Sequence, residues 1–277
     1  MEENGQTLNE SPSKEPLRLC YVADATNIHV QRWLRYFQQA GHEVLCLADK
    51  GGQIDGVTIE MLPNRDTLLA HGAKANKTNV IQARAHAIQE AVARFQPDVL
   101  HAIFLYQRGW SAALSNFHPL VITLLGSDIF LPGEHYRNKL HLLRDTALNQ
   151  GALQQADLVT AVNANLADEA KRLAGQHIPM AMIPIGTDSR LFNEAKDNDK
   201  LAMLRRALQI DESNYVILSP RQMTPVYNID ILVEAMAAIL HEIPETIFIL
   251  KDAFNAKGDE RAAYVRELKQ TIQDRGF

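Results

Sequence analysis

The sequence predicts an α/β protein: a doubly wound, Rossmann-like parallel sheet, followed by a second and incomplete unit of the same kind. Two observations carry this reading. Short apolar runs alternate with longer stretches of helical periodicity along most of the 277 residues. The runs are continuously apolar rather than alternating, as in parallel strands covered on both faces.

The elements follow in order. LRLCYVAD, residues 17–24, is the first strand. The next stretch, NIHVQRWLRYFQQAG, places Val30, Trp33, Leu34 and Phe37 at helical spacing, and Gly41 closes it. HEVLCLA and GVTIEMLP are the second and third strands, and a helix over roughly 80–95 stops at Pro97. DVLHAIF is the fourth strand, residues 109–116 a short helical piece, and LVITLLG the fifth strand. A longer helix spans about 136–156, DLVTAV is the sixth strand, and a helix over 165–173 leads into MAMIPIG, the seventh. Residues 17–192 thus read as one domain. Residues 1–16 read as a disordered leader, polar and acidic, without the apolar segment of a signal peptide.

Residues 193–214 are charged and partly helical, as an interdomain connector would be. A new unit, 215–277, begins at Tyr215: strand YVILS, a helix over 230–241, strand TIFIL, a helix over 259–273. Two parallel strands and two helices bury too little apolar surface to offset roughly 1–2 kcal/mol of backbone entropy per residue. They also leave sheet edges open. The expectation is half of a second doubly wound domain, either cut short or completed by something else.

Composition narrows the function classes. Hydrophobic residues are 46% and charged residues 22%, as in an ordinary globular protein. The formal net charge of −5 gives no basic field for nucleic acid. No apolar run approaches the ~20 residues of a membrane span. Cys20 and Cys46 each lie inside an apolar strand and read as buried free thiols of a reducing compartment, and no Cys/His spacing suggests a metal site.

Several segments together resemble the retaining glycosyltransferases of family 4, with their GT-B architecture of two Rossmann-like domains. GHEVLCLA, QPDVLHA, TLLGSDI, ADLVTAVNANLADEAKRLAG, IPIGTDSRLF and ILSPRQMTPVYNIDILVEA carry the resemblance, in family order, across residues 17–250. It implies an acceptor-side first domain, a nucleotide-sugar donor domain beginning near 215, and sugar transfer with retention. It also implies a nucleotide-diphosphate sugar as substrate, with no resident cofactor or metal. A glycan, lipid or small molecule would be the acceptor. The site of action would be the cytoplasm or the inner membrane face. A paired-glutamate segment of the family would fall beyond Phe277, so weak or no transfer by this chain is expected. The alternatives are a non-catalytic fragment that binds an acceptor or partner, and a sugar-nucleotide epimerase.

Candidate site residues follow from what diphosphate departure requires. Arg221 lies just past a strand end and just before a helix, where a guanidinium and helix N–H groups can hold phosphate. Val226 and Tyr227 stand in the region where the family usually has lysine, and Tyr227 or Asn228 can offer phosphate a hydrogen bond without charge. Lys251 and Asp252 are weaker candidates at the next strand end. In the first domain Gly126, Ser127 and Asp128 match the family's turn at the cleft, although Leu125 replaces its usual histidine. Asp128 reads either as a catalytic group or as a cap. Asp24, Asn27 and His29 follow the first strand; His29 is the candidate for acceptor contact or proton transfer, against a plain helix-start role. Gly186, Thr187 and Asp188 read as the domain crossing. Finally, residues 67–89 hold no acid but carry His71, Lys74, Lys77, Arg84 and His86. That stretch suggests a phosphate-bearing acceptor or peripheral membrane contact, or simply a solvated face.

Overall fold

The structure is a computed structural model that describes residues 15–130, 138–187, 189, 192, 198–251 and 259–276. The expected leader, Asp188 and Asp252 lie outside the described residues, apart from the last two residues of the leader. The chain divides into two compact units after Thr187, earlier than the boundary at 192 drawn from sequence.

The first unit is a parallel sheet of seven strands: β1 Arg18–Asp24, β2 Glu43–Lys50, β3 Thr58–Met61, β4 Val99–Ile103, β5 Leu120–Leu124, β6 Leu158–Ala161 and β7 Met180–Met182. Their spatial order is β3-β2-β1-β4-β5-β6-β7, all pairs parallel. The helices are α1 Ile28–Gln39, α2 Arg65–Ala70, α3 Lys77–Phe95, α4 Trp110–Leu114, α5 Lys139–Gln155 and α6 Ala164–Ala174. Continuous apolar strands bury both faces, as the sequence pattern requires. One cluster joins Val22, Leu45, Leu100, Ile122 and Val159 to Ile88 of α3 and Leu153 of α5. The other joins Tyr21, Val44, Cys46 and Ile103 to Val30 and Leu34 of α1. Cys20 and Cys46 are free and buried, and burial pushes both thiols up to about 12. Asparagines start several helices: the side chains of Asn27, Asn64, Asn76, Asn138 and Asn163 each accept from an amide of the turn they precede.

The second unit holds α7 Asn198–Ala207, β8 Tyr215–Ser219, α8 Ile229–Glu242, β9 Thr246–Leu250 and α9 Asp259–Asp274. Strands β8 and β9 pair in parallel with each other. Met223, Ile229, Val233, Met236, Val265 and Leu268 form its core, with Phe248 and Leu250 packed on it from the sheet. The opposite side of β8 is apolar and open: Val216 is 39% and Leu218 59% exposed. Among the described residues, no helix is long and apolar enough to cross a membrane.

Candidate functional site

In an open parallel sheet, ligands bind outside the carboxyl ends of the strands, at the point where strand order reverses. Here that point lies between β1 and β4. The chain supplies Asp24 as the last residue of β1, and the residues after β4, from Phe104 to Arg108, on its other side. Asp49 and Lys50 end the neighbouring β2.

A bulge shapes this edge. Ala23 pairs with Ala48, but Asp24 pairs with Lys50, so Asp49 is the additional residue of β2. Bulges re-aim side chains, and the Asp49 carboxylate meets Arg108 from after β4, with β1 lying between their strands. Arg108 Nε and Nη2 both donate to Asp49 Oδ1, at 3.1 and 2.9 Å. Arg108 Nη2 is also 3.6 Å from Asp24 Oδ2, and Lys50 Nζ is 3.5 Å from the same oxygen. Below them Arg84 is buried, 3.9 Å from Asp49, with its Nε donating to the Pro63 carbonyl at 2.9 Å. Burial raises the Asp24 carboxyl, but bonds from the Thr26 hydroxyl and amide, with Lys50 and Arg108, outweigh it and hold it below the usual range.

The turn after β4 is strained. Phe104 sits at φ 89° and Gln107 at φ 52°, positive values unusual for a bulky aromatic above all. Such backbone persists only when its surroundings hold it, and it concentrates at functional sites. Two restraints hold this one. Arg108 is fixed by Asp49, and its guanidinium lies 5.4 Å from the centre of the Phe104 ring. At the other end the Leu105 amide donates to Asp128 Oδ2 at 2.9 Å.

Asp128 clamps the turn after β4 to the turn after β5. Its side chain is fully buried. Besides the bond from Leu105, it accepts from the amides of Gly126 at 2.7 Å and Leu125 at 3.2 Å. Both oxygens are engaged within the protein, and none of the carboxylate reaches solvent. Burial pushes its proton affinity up and the backbone donors pull it back, with a net rise. Gly126 is at φ +146°, where a side chain is strained, while a Cβ there would touch nothing within 4 Å. Ser127 beside it is exposed. Leu125 packs partly buried against the apolar cluster of β1 and α1.

The other first-unit candidates separate. Asn27 caps α1, accepting from the amides of His29 at 2.8 Å and Val30 at 3.4 Å, so its carbonyl oxygen is already used. His29 is exposed on the first turn of α1, beyond Asp24. The carbonyl of Gly186 accepts from Arg32 Nη2 at 3.0 Å, tying the end of the unit to α1; Thr187 follows it and is exposed. The basic stretch is not one face. Lys77 turns inward to Asp145 Oδ2 at 2.7 Å, to the Tyr106 hydroxyl, and against the rings of Tyr106 and Trp110. Arg84 is buried, His86 neighbours Glu90 at 3.6 Å, and His71 Nδ1 bonds the Thr67 carbonyl at 2.7 Å.

In the second unit Arg221 and Tyr227 come together: the guanidinium is 5.1 Å from the ring centre, beyond the carboxyl end of β8. Asn228 has φ 50° and makes no side-chain bond to the helix it precedes, unlike the asparagines that start α1 and α3. Asp230, in the first turn of α8, is drawn aside by the Tyr264 hydroxyl, 2.7 Å from its carboxylate. Lys251 is exposed just after β9.

Sequence reasoning missed Asp49, Arg108 and the strained Phe104. The signals available were the pairing of DK with GG after the second strand and the arginine in FLYQRG after the fourth. Neither states that the two meet.

A doubly wound sheet with this strand order, followed by a second β-α-β-α unit, is the fold this chain shares with glycosyltransferases of the GT-B class. The chain belongs to the glycosyl transferase 4-like family, whose sequence profile matches residues 18–163. Among solved structures, HepE of Anabaena in complex with UDP is similar at 16% identity and a TM-score of 0.64, over 94% of this chain and 66% of that one. HepE has also been solved with UDP-glucose and with UDP and glucose. Sucrose-phosphate synthase of Thermosynechococcus elongatus is similar at 16% identity and a TM-score of 0.68, over 93% and 69%. A glycosyltransferase of Rickettsia africae is similar at 15% identity and 0.67, over 94% and 66%. The chain thus spans about two thirds of the length of these proteins. A search of curated proteins gave no match.

Proposed function

We propose that the chain serves a glycosyltransferase that moves a sugar, with retention, from a nucleotide-diphosphate donor to an acceptor hydroxyl in the cytoplasm. The observation that carries the reading is Arg221 beside Tyr227, beyond the carboxyl end of β8. The arginine holds the diphosphate, with the Tyr227 hydroxyl and Asn228 as uncharged partners. The bond from the anomeric carbon to the phosphate oxygen breaks with its electron pair on the leaving group. The acceptor oxygen bonds that carbon, and the acceptor proton passes to the departing phosphate or through His29. The charge is met by Arg221 rather than by a resident metal, so chelator should not impair the reaction. In this reading Asp24 and the turns after β4 and β5 hold the acceptor, with Gly126 and Ser127 shaping the edge. Gly186, Thr187 and Asp188 lead the chain from one unit to the other.

Support comes from the family, from the fold, and from the relative HepE, solved with UDP-glucose. Calorimetric titration with UDP, UDP-glucose and a GDP-sugar tests the donor site. Arg221→Ala should weaken binding at least tenfold; equal affinity for both proteins removes the assignment. The rival reading, a fragment that binds without turnover, draws on the side chain of Leu125, which lies in the apolar packing beside Gly126. It is distinguished by binding of donor and acceptor with no product under any pairing.

A further inference from the structure

The proposed acceptor edge has a charge balance that the sequence does not show. Four charged groups line the reversal point: Asp24, Asp49, Lys50 and Arg108. They amount to two negative and two positive, and each positive group lies against a carboxylate. Arg84 is the next cation, but it is buried and directed to Asp49, Pro63 and Gln107. Lys77 is turned away to Asp145. Arg32, one turn along α1 from His29, spends its guanidinium on the Gly186 carbonyl. The remaining polar groups at the edge, Thr26, Asn27, His29 and Ser127, add no fixed charge.

Resting on the glycosyltransferase reading, we propose that this edge takes a neutral, hydroxyl-rich acceptor, a sugar ring without phosphate, sulfate or carboxylate. A phosphate or carboxylate binds well where a guanidinium or ammonium can turn both donors to it. Here it would have to draw Arg108 from Asp49, or Lys50 from Asp24, and leave a partly buried carboxylate with one partner fewer beside it. Removing a partner in that way is costly. A sugar hydroxyl asks for nothing of the kind. It both donates and accepts, so it can give its proton to an outer lone pair of Asp24 or Asp49 and take a bond from Arg108 or Lys50, with the ion pairs left in place. Asp24, Asp49 and Arg108 keep 14, 15 and 14% of their side chains open to solvent, enough for such contacts without breaking the cluster. The carboxylates are thus specificity elements: they supply acceptors to hydroxyls and repel anions.

The test is binding of the 277-residue chain to an array of neutral, phosphorylated, sulfated and uronate-bearing glycans. Binding confined to neutral glycans is expected. Asp24→Asn and Asp49→Asn should each reduce it at least tenfold, with Asp49→Asn also melting below the parent because it loses the closest partner of Arg108. The Asp24→Asn variant serves if Asp49→Asn fails to fold. Preference for anionic glycans, capture of none, or neutral binding untouched by both variants overturns the proposal. UDP titration separates this from the underlying reading. Retained UDP binding with an anionic glycan preference defeats only the acceptor class, whereas absent UDP binding defeats the transferase reading itself.

Discussion

Arg32 reaches from the middle of α1 to the carbonyl of Gly186, a hydrogen bond of 3.0 Å between residues 154 positions apart in the chain. It fastens the last residues of the first unit to the same helix whose start carries Asn27 and His29. Arg32→Ala should leave global stability within about 1 kcal/mol, since the bond is solvent-exposed. Hydrogen exchange at residues 183–187 should quicken severalfold, and protease cleavage near Gly186 should accelerate. Unchanged exchange there would show that the bond restrains nothing.

Asp128→Asn removes one acceptor oxygen and sets an amide N–H₂ against backbone donors. Bonds to a buried charged acceptor contribute about 1.5–3 kcal/mol, and the orphaned amides add to the loss. A destabilisation of roughly 3 kcal/mol in urea unfolding is expected, with faster exchange at Leu105 and Gly126. A variant as stable as the parent would mean that the turn after β4 is held by Arg108 alone.

His101 makes acid stability measurable. It is buried between Tyr21 and Trp33, shares a 2.6 Å hydrogen bond with Thr123, and burial lowers its proton affinity from the usual 6.5 to about 3. Between those values the unfolded chain takes up a proton that the folded chain does not. Stability therefore falls with falling pH, by about 1.4 kcal/mol per unit from this group. His101→Gln, which retains a hydrogen-bonding group, should flatten the decline between pH 6 and pH 4 in urea titrations. Parallel curves for parent and variant would rule the histidine out as the cause.

Two glycines should respond differently to alanine. At Gly126 only the positive φ is at stake, because a Cβ meets no atom within 4 Å, and a cost of roughly 1–2 kcal/mol is expected. At Gly52 a Cβ would lie 2.4 Å from the Ala25 carbonyl oxygen, a backbone atom in the turn after β1. Gly52→Ala must push the end of β2 away from that turn. It should cost more than Gly126→Ala and should also shift the amide resonances of Ala25 and Thr26. A smaller cost than at Gly126 would contradict the close approach.

The second unit offers a contrast within one apolar composition. Met236 is 3% exposed in its core, and Met236→Ala should cost about 2–5 kcal/mol. Leu218, on the open side of β8, should accept Thr with a change below about 0.5 kcal/mol. A large loss at Leu218 would show that this side is covered.

The sheet was legible because its determinants are local. LCYVA and LCLA are apolar at every position and VITLL at all but Thr123, and such runs suit a strand covered on both faces. The short α2 was not foreseen, since RDTLLA is too brief for periodicity to emerge. The site was legible only at its ends. Asp24 and Arg221 are marked by position, each at the close of an apolar run. Asp49 and Arg108 owe their meeting to a bulge and to a crossing over β1, and 59 residues of intervening chain conceal it. Asp128 reads from sequence as a candidate acid or a cap. The fold of the neighbouring turn brings the Leu105 amide to its carboxylate, a partner 23 residues away that neither reading names. Lys77 and Arg84 failed as a surface stripe because a residue's sign is written in the sequence but its direction is not.

The bridge from Asp49 to Arg108 also constrains how this chain can drift. Neutralising either position first leaves the opposite charge only its longer contact, to Asp24 or to Arg84, in a mostly enclosed place, and a descendant with that single change would fold less well than its parent. Both would have to change together, or a third residue would have to shift beforehand. The pair should therefore travel as one hereditary unit, lost or kept jointly in lineages that retain the extra residue of β2.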